Sequence, residues 1–342
     1  MLKISLYTMG AILVVATALP LWHTSRWWVR LCDFPRFQIA VLCIVVLLAA
    51  ALSHWPPSAS HVAFMLVVAL ATLWQLSWIW RYFPGAPKEV RRSNTSAPTH
   101  NRISLLTSNV LQNSRNVGRL IEIVVTTAPD VFFAVETDEW WQDRLNDSLA
   151  GRYPHRISYP LSNGYGLTLF SRLELVDPNV RFAVDEAIPS IRVGVRLRSG
   201  AVVDLYGLHP RPPSVFQDSL ERDVELILVG SEVRSTQRPS IVLGDLNDVA
   251  WSPTTSRFKQ VSGLLDPRRG RGFFNTYPSH MPGLRYPLDH LFHSAHFSLG
   301  EMRVLPSFSS DHLPLSISLY LDDSDGAGRS EAVSERKSLT AT

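Results

Sequence analysis

Cysteine is nearly missing from this chain. There are two in 342 residues, Cys32 and Cys43, and both precede residue 84. The long remainder has none, so it needs no disulfide and suits either an oxidising or a reducing compartment. A large excess of either charge is also missing. The net charge is +3, too mild to be a nucleic-acid footprint. Arg268, Arg269, Arg271 and Arg285 occur, but no long Lys/Arg band tracks a phosphate backbone. His280, His290, His293 and His296 lack zinc spacing such as H-E-x-x-H. No internal repeat is visible.

Apolar sequence, by contrast, is in excess at the start. Hydrophobic residues make up 46% of the chain, and the surplus lies in the first 83 positions. Ile4 to Trp22, Phe37 to Ser53 and Val62 to Trp80 each approach the roughly 20 apolar residues that cross a hydrocarbon core. They leave no polar face for water, which disfavours a buried soluble core. Trp22, Trp27, Trp28, Trp55, Trp74, Trp78, Trp80 and Tyr82 gather near their ends, as an aromatic belt does. None of the three has Asp, Glu, Lys or Arg in its interior, so they lack the charges that mark transport or relay. Anchoring is the expected job. Lys3 and "ATA" at Ala16 to Ala18 also fit a cleaved signal peptide, but two further spans follow and favour an uncleaved one.

Three spans put the loop from His23 to Arg36 on the same side as everything after Phe83. Arg26, Arg30, Arg36, Arg81, Lys88, Arg91 and Arg92 lie on that side, and the loop from His54 to His61 has no Lys or Arg. The positive-inside rule places that side in the cytoplasm; the signal-like first span places it outside. Both orientations stay open.

Residues 84–101, "PGAPKEVRRSNTSAPTHN", read as a flexible linker, and residues 322–342 as a disordered tail. The expected organisation is an anchor at 1–83, that linker, a domain at 102–321, and the tail. Within the domain, "RISLLTSNV", "DVFFAVE", "GLTLFS", "VGVRL", "VVDLYGLH", "SIVLGD", "LDHLF" and "PLSISLYL" read as strands. Asn116 to Thr127 reads as a helix with Val117, Leu120, Ile121 and Val124 on one face. Phe216 to Arg234 reads as another, with Leu220, Val224, Ile227 and Leu228 on its apolar side. Many strands with few helices suggest an α/β fold of two stacked sheets with helices outside.

The polar residues recur at one kind of place. Asn109, Glu136, His209, Asp245 with Asn247, Asp289, and Asp311 with His312 each read as falling at or just after the end of an apolar strand. One such acid is usually a turn residue or a cap. Six such places in one domain point instead to a ligand site where strand ends converge. Asp248 reads as a cap of the following turn and Trp251 as a packing residue.

These segments resemble the endonuclease/exonuclease/phosphatase superfamily over about residues 100–321. The motifs that carry the resemblance are "GDLN" at Gly244 to Asn247 and "SDH" at Ser310 to His312. "SNV", "VET", "LHP" and "LDHLF" stand around Asn109, Glu136, His209 and Asp289 in the expected order. The three spans with "HPRPP" and "GDLNDVAWSP" are similar to a membrane-anchored bacterial subgroup that includes the teicoplanin-resistance membrane proteins. The resemblance implies a four-layer DNase I-like sandwich behind three transmembrane helices, in a multi-pass protein of the bacterial inner membrane. It implies Mg²⁺, replaceable by Mn²⁺, with Glu136 as direct ligand and Asn109 and Asp311 in support. His312 then works in proton transfer with an adjacent carboxylate, and Asp245 orients or deprotonates the attacking water. Asn247 and His209 bind the phosphate, and Asp289 supports the metal or the histidine. In one departure, Val135 stands where the superfamily often has Gln.

The resulting expectation is a membrane-anchored, metal-dependent phosphoesterase. Tethering raises the effective concentration of a membrane-borne partner, so a lipid-linked phosphate or pyrophosphate is the preferred substrate, and the subgroup resemblance points to undecaprenyl pyrophosphate. The alternatives are a nuclease acting on nucleic acid and a non-catalytic membrane interaction module. The latter predicts lost metal or histidine positions, and none is lost.

Overall fold

A computed structural model describes residues 2–53, 56–93, 97–215 and 217–322. Trp55, Phe216 and the expected tail beyond Asp322 lie outside the described residues.

Helices α1 (Leu2–Ala18), α3 (Arg36–Ser53) and α4 (Ala59–Ile79) come first, with a short α2 (Trp27–Arg30) between the first two. The three long ones are long and apolar enough to cross a membrane. They meet through Leu13, Ile39, Cys43, Val46 and Val68. Leu48, Leu52, Leu66 and Leu70 point outward and stay exposed. A buried polar thread also joins them. Arg36 pairs with Asp33, Arg36 Nη1 donates to Gln75 Oε1 (3.1 Å), and Gln75 Nε2 donates to Thr17 Oγ1 (3.0 Å). Every link gives a buried polar group a partner, which an apolar bundle requires.

The domain follows as β1 (Arg102–Asn109), α5 (Val117–Thr127), β2 (Val131–Val135), α6 (Glu139–Leu149), β3 (His155–Tyr159), β4 (Leu167–Ser171), β5 (Leu175–Arg181), β6 (Ser190–Arg196), β7 (Val202–Gly207), α7 (Leu220–Ser235), β8 (Ser240–Asp245), α8 (Pro253–Ser262), β9 (Asp289–His293), β10 (Phe297–Val304) and β11 (Leu315–Leu321). One sheet runs β10-β11-β1-β2-β4-β3 and the other β5-β6-β7-β8-β9. The two-residue period of a strand sorts its side chains. Leu105, Phe133, Leu169, Val193, Leu205 and Leu243 fill the space between the sheets. Their neighbours Leu106, Phe132 and Phe170 turn outward onto Leu120, Val124, Trp141 and Leu145 of α5 and α6. Tyr206, Val242 and Phe292 turn the other way, onto α7 and α8. The result is the four-layer sandwich.

The buried side of α7 is not the expected one. Leu226, Val229 and Val233 face the sheet, with Arg222 and Glu225 beside them. Leu220, Val224 and Leu228 are exposed. The helix carries two apolar stripes, and Gly230 decides between them. A Cβ there would lie 3.2 Å from the Phe258 ring of α8, so the glycine side is the one that lets the helices approach.

Nor is the segment after residue 83 a free join. Val90 sits in the inter-sheet core. Glu89 takes Lys259 Nζ (2.6 Å), Arg269 Nη1 (3.2 Å) and the Asp266 N–H (3.0 Å). Ser93 N donates to Leu299 O and Leu299 N to Arg91 O, so this stretch covers the edge of β10. Its Pro-rich, charged composition looks solvated, but Glu89 and Arg91 have partners far along the chain.

The helices also pack on the domain directly. Ile79 and Tyr82 share an apolar cluster with Val249, Ala250, Trp251 and Leu288. Tyr82 OH donates to Ala250 O (2.6 Å) and Trp251 Nε1 to Asp33 O (2.8 Å). Cutting away residues 1–83 exposes this cluster and leaves the Trp251 N–H without its acceptor, each a destabilising change. The expected outcome is a truncated domain that self-associates on size-exclusion chromatography while full-length protein in detergent stays monodisperse. A monodisperse truncated domain with an unshifted melting temperature would show that the junction contributes no stability.

Candidate active site

Parallel pairing brings the strand ends together. β1 and β2 run parallel with Asn109 opposite Val135, which leaves Glu136 just past the edge. β7 and β8 run parallel with Gly207 opposite Leu243, so His209 and Asp245 emerge on one side. Against expectation, Asp289 does not follow a strand but opens β9, where antiparallel pairing sets it opposite Asp245 at the end of β8. The loop before β11, which pairs with β1, delivers Asp311 and His312. Gly244 makes the turn possible. Its φ is +134°, and a Cβ there would lie 2.0 Å from the Leu208 carbonyl oxygen. Glu136 and Asn247 hold left-handed backbone, at φ 63° and 50°, a conformation that costs non-glycine residues energy and tends to mark functional turns.

The side chains form one network. Asn109 Nδ2 donates to Glu136 Oε1 (2.7 Å) and to Asp245 Oδ2 (3.1 Å), and its Oδ1 accepts the Leu111 N–H (2.9 Å). The Gln112 N–H donates to Glu136 Oε2 (3.2 Å). Asp245 Oδ1 accepts the Asn247 N–H (2.9 Å). His312 Nε2 lies 3.5 Å and His209 Nε2 3.7 Å from Asp245 Oδ2. His312 Nδ1 is 2.8 Å from Asp289 Oδ2. Ser310 Oγ donates to the Asn109 carbonyl (2.8 Å) and receives the His312 N–H (3.1 Å), which fixes this loop to the end of β1.

Burial sets the proton affinities. It raises Asp245 and Glu136, against the pull of His312 and His209 on the first and of the Asn109 and Gln112 hydrogen bonds on the second. It lowers His209, against the pull of Asp245. Burial opposes charge on His312 as well, but Asp289 and Asp245 outweigh it and push that imidazole up to about 10.

These residues line the floor of a cleft of about 560 Å³, except Asp289, which stands behind His312. The floor holds Asn109, Glu136, His209, Asp245, Asn247, Asp311 and His312. Asn247 is anchored by its Nδ2 on the Pro210 carbonyl (3.0 Å) and by Arg222 on its own carbonyl (2.6 Å). The walls were not legible in the sequence. Tyr277 lies 4.8 Å from the His312 ring and Tyr165 5.6 Å from the His209 ring. Pro212, Pro213, Tyr286 and Leu288 continue the wall. Leu31, Phe34 and Pro35, from the connection between α2 and α3, close it. Only the proline run after His209 and the tyrosines beside Gly164 and Pro278 hint at it locally.

Other marked residues fall elsewhere. Arg268 is buried on Asp266 and His290, Arg269 reaches Glu89, and Arg271 reaches the carbonyls of Pro267 and Val90. None of the three lines the cleft. Asp248 does not cap α8 itself: Ser252 is the N-cap, its hydroxyl accepting the Thr255 N–H, and Asp248 accepts the Ser252 and Thr255 hydroxyls behind it and pairs with Arg222.

Among the described residues no three His, Cys, Asp or Glu side chains form a ready metal cage. The donors on the floor are nevertheless hard oxygens. Glu136, Asp311 and the Asn109 amide suit a divalent ion that takes one or two carboxylates and keeps its waters.

The model of the endonuclease/exonuclease/phosphatase family matches residues 106–312. No curated protein matches the chain in sequence. A humanized zebrafish (D. rerio) TDP2 carrying 14 mutations superimposes with a TM-score of 0.55 at 17% identity, over 64% of this chain and 99% of that one. D. rerio TDP2 complexed with single-strand DNA product gives 0.54 at 18%, over 64% and 98%. An endonuclease/exonuclease/phosphatase from Beutenbergia cavernae gives 0.53 at 17%, over 65% and 72%. At these identities the likeness speaks to fold.

Because His312 and Asp245 face one point of the cleft, their losses should not multiply. We expect His312→Ala and Asp245→Ala each to lower kcat on a soluble chromogenic phosphodiester by about 10² or more. The double variant should lose much less than the product of the two. Fully multiplicative losses, with each variant folded by circular dichroism, would separate the two residues functionally.

Proposed function

The chain belongs to the endonuclease/exonuclease/phosphatase family and is a metal-dependent phosphoric ester hydrolase, and we propose that it cleaves the phosphate or pyrophosphate group of a membrane-borne lipid. The reading rests on one observation. The catalytic floor and the connection between the first two long apolar helices line the same cleft. An amphiphile fits such a site, with its phosphate on Asn247 and His209 and its apolar part along Leu31, Phe34 and Pro35. In this reading α1, α3 and α4 each cross the bacterial inner membrane. A polyprenyl pyrophosphate is the preferred substrate.

The proposed roles follow from the geometry. Asp245 orients the attacking water and accepts its proton. Asp289 holds His312 so that Nε2 faces the phosphoryl oxygens. Asn247 and His209 fix the phosphate. Glu136 would hold Mg²⁺, with Asn109 and Asp311 beside it, and the ion would supply Lewis-acid stabilisation of charge on the phosphoryl group. Asn109 has a second task, since its amide ties Glu136 to Asp245 across the two sheets.

Two tests apply. Glu136→Ala should lower Mg²⁺ affinity in isothermal titration and abolish turnover; unchanged affinity and turnover would overturn its assignment as ligand. Full-length protein should hydrolyse a polyprenyl pyrophosphate in vesicles with Mg²⁺ and not with EDTA, and should act more slowly on a phosphoinositide and on single-stranded or duplex DNA. Phe34→Ser should lower kcat/KM on the lipid by about tenfold or more, the worth of roughly 1.4 kcal/mol of apolar contact, and leave a soluble phosphodiester little changed. A preference for DNA, with no effect of Phe34→Ser, would favour the nuclease.

A further inference from the structure

We propose that the catalytic domain itself enters the membrane surface, through the exposed stripe of α7 and the loop at residues 281–284. The proposal rests on the reading that α1, α3 and α4 span a membrane, but not on the substrate. Nine large hydrophobic residues after residue 101 are exposed among the described residues, and six of them sit in these two places. Val215, Leu220, Val224 and Leu228 lie on or just before α7, and Met281 and Leu284 in the loop. Their exposures run from 40% at Val224 to 59% at Leu220.

Hydrogen bonds fix the level of both places against the helices. Gln38 Nε2 donates to the Gly283 carbonyl (3.2 Å). Gln38 is the third residue of α3, so the 1.5 Å rise per residue puts the loop about 3 Å along the helix from its start. On the other flank, the Ser219 N–H and hydroxyl both reach the Ser25 carbonyl (2.9 and 3.2 Å). The Trp27 N–H donates to Asp218 Oδ1 (3.1 Å). The first turn of α7 therefore lies beside the Trp22–Trp28 ring pair, whose indoles are exposed, and exposed tryptophans between spans mark the headgroup level.

The occupant is a lipid surface, because both patches continue the apolar surface of the helices where that surface ends. Apolar burial supplies the attraction. Glu221 and Asp223 flank the α7 stripe, so it is not the basic face that binds by charge. Neutral lipid suffices and salt has little effect. The two patches flank the cleft. Pro212 and Pro213 on its wall precede Val215, and Tyr286 follows Leu284. The mouth then opens within the interface, level with lipid phosphates.

The experiment uses the full chain in phosphatidylcholine vesicles. In a Cys32→Ser, Cys43→Ala background, a polarity-sensitive fluorophore is attached to Leu228→Cys, Leu284→Cys, Asp147→Cys on the opposite outer layer, or Leu66→Cys on α4. Spin-labelled lipids are the quenchers. The expected result is several-fold stronger quenching at Leu228 and Leu284 than at Asp147, unchanged at high salt, with Leu66 quenched from the acyl region. Quenching at Leu66 with aqueous behaviour at Leu228 and Leu284 would overturn the proposal and leave the spans standing. An aqueous Leu66 would overturn the spans and the proposal together. Protection that follows protein density and ignores spin-labelled lipid would assign the patches to a second copy, and likewise overturn it.

Discussion

The site depends on one buried carboxylate. Asp245 is 1% exposed, and a carboxylate so placed is costly unless it is hydrogen-bonded. Its partners come from both sheets. The Asn109 amide arrives from β1, the Asn247 N–H from the turn after β8, and the imidazoles of His209 and His312 from two more segments. A one-residue slip of either sheet would turn these side chains away. Asp245 thus penalises every register except the one that assembles the floor. The two parallel pairs, β1–β2 and β7–β8, make this possible, since parallel neighbours end on the same edge.

Val135, the departure from the superfamily pattern, has a physical account here. Its side chain is fully buried between the sheets among Phe133, Leu167 and Leu243. A glutamine there would put an amide into that apolar layer. Glu136 does not lack donors for this. One oxygen takes the Asn109 amide and the other the Gln112 N–H. The left-handed turn at residue 136 carries the chain out of the strand, and the carboxyl lines the cleft. The orienting task is met from β1 and its following turn.

Much of this was readable along the chain. Strands such as Ile241 to Leu243 announce themselves by apolar β-branched runs, and their ends carry the acids. What escaped reading depends on contacts that local pattern does not encode. On α7 both stripes are apolar, so periodicity could not choose between Leu228 and Leu226; packing against Phe258 through Gly230 did. Arg268 and Arg269 look like a solvated or anion-binding run, yet their partners are Asp266, His290 and, 180 residues away, Glu89. Residues 84–93 look like a linker for the same reason. Leu31, Phe34 and Pro35 carry no chemical motif, and only the folded chain brings them into one cleft with His312.

The two halves of the molecule meet at a hydrogen-bonded junction. A flexible tether would raise local concentration and leave orientation free. This junction does not flex in that way. Trp251 is bonded to Asp33, Tyr82 to Ala250, Glu89 to Lys259, and the Gly270 N–H to the Arg81 carbonyl. These contacts come from the turn before α3, from the end of α4 and from the segment that follows it, so they fix rotation as well as distance. A fixed orientation allows one wall of the cleft to be built from the helix connection. A wall that binds the unreacting part of a substrate can contribute binding energy to positioning at the phosphorus, which is how remote contacts raise kcat. The helix connection is therefore part of the cleft as well as of the junction, and under the proposed function anchoring and substrate positioning become one structural task.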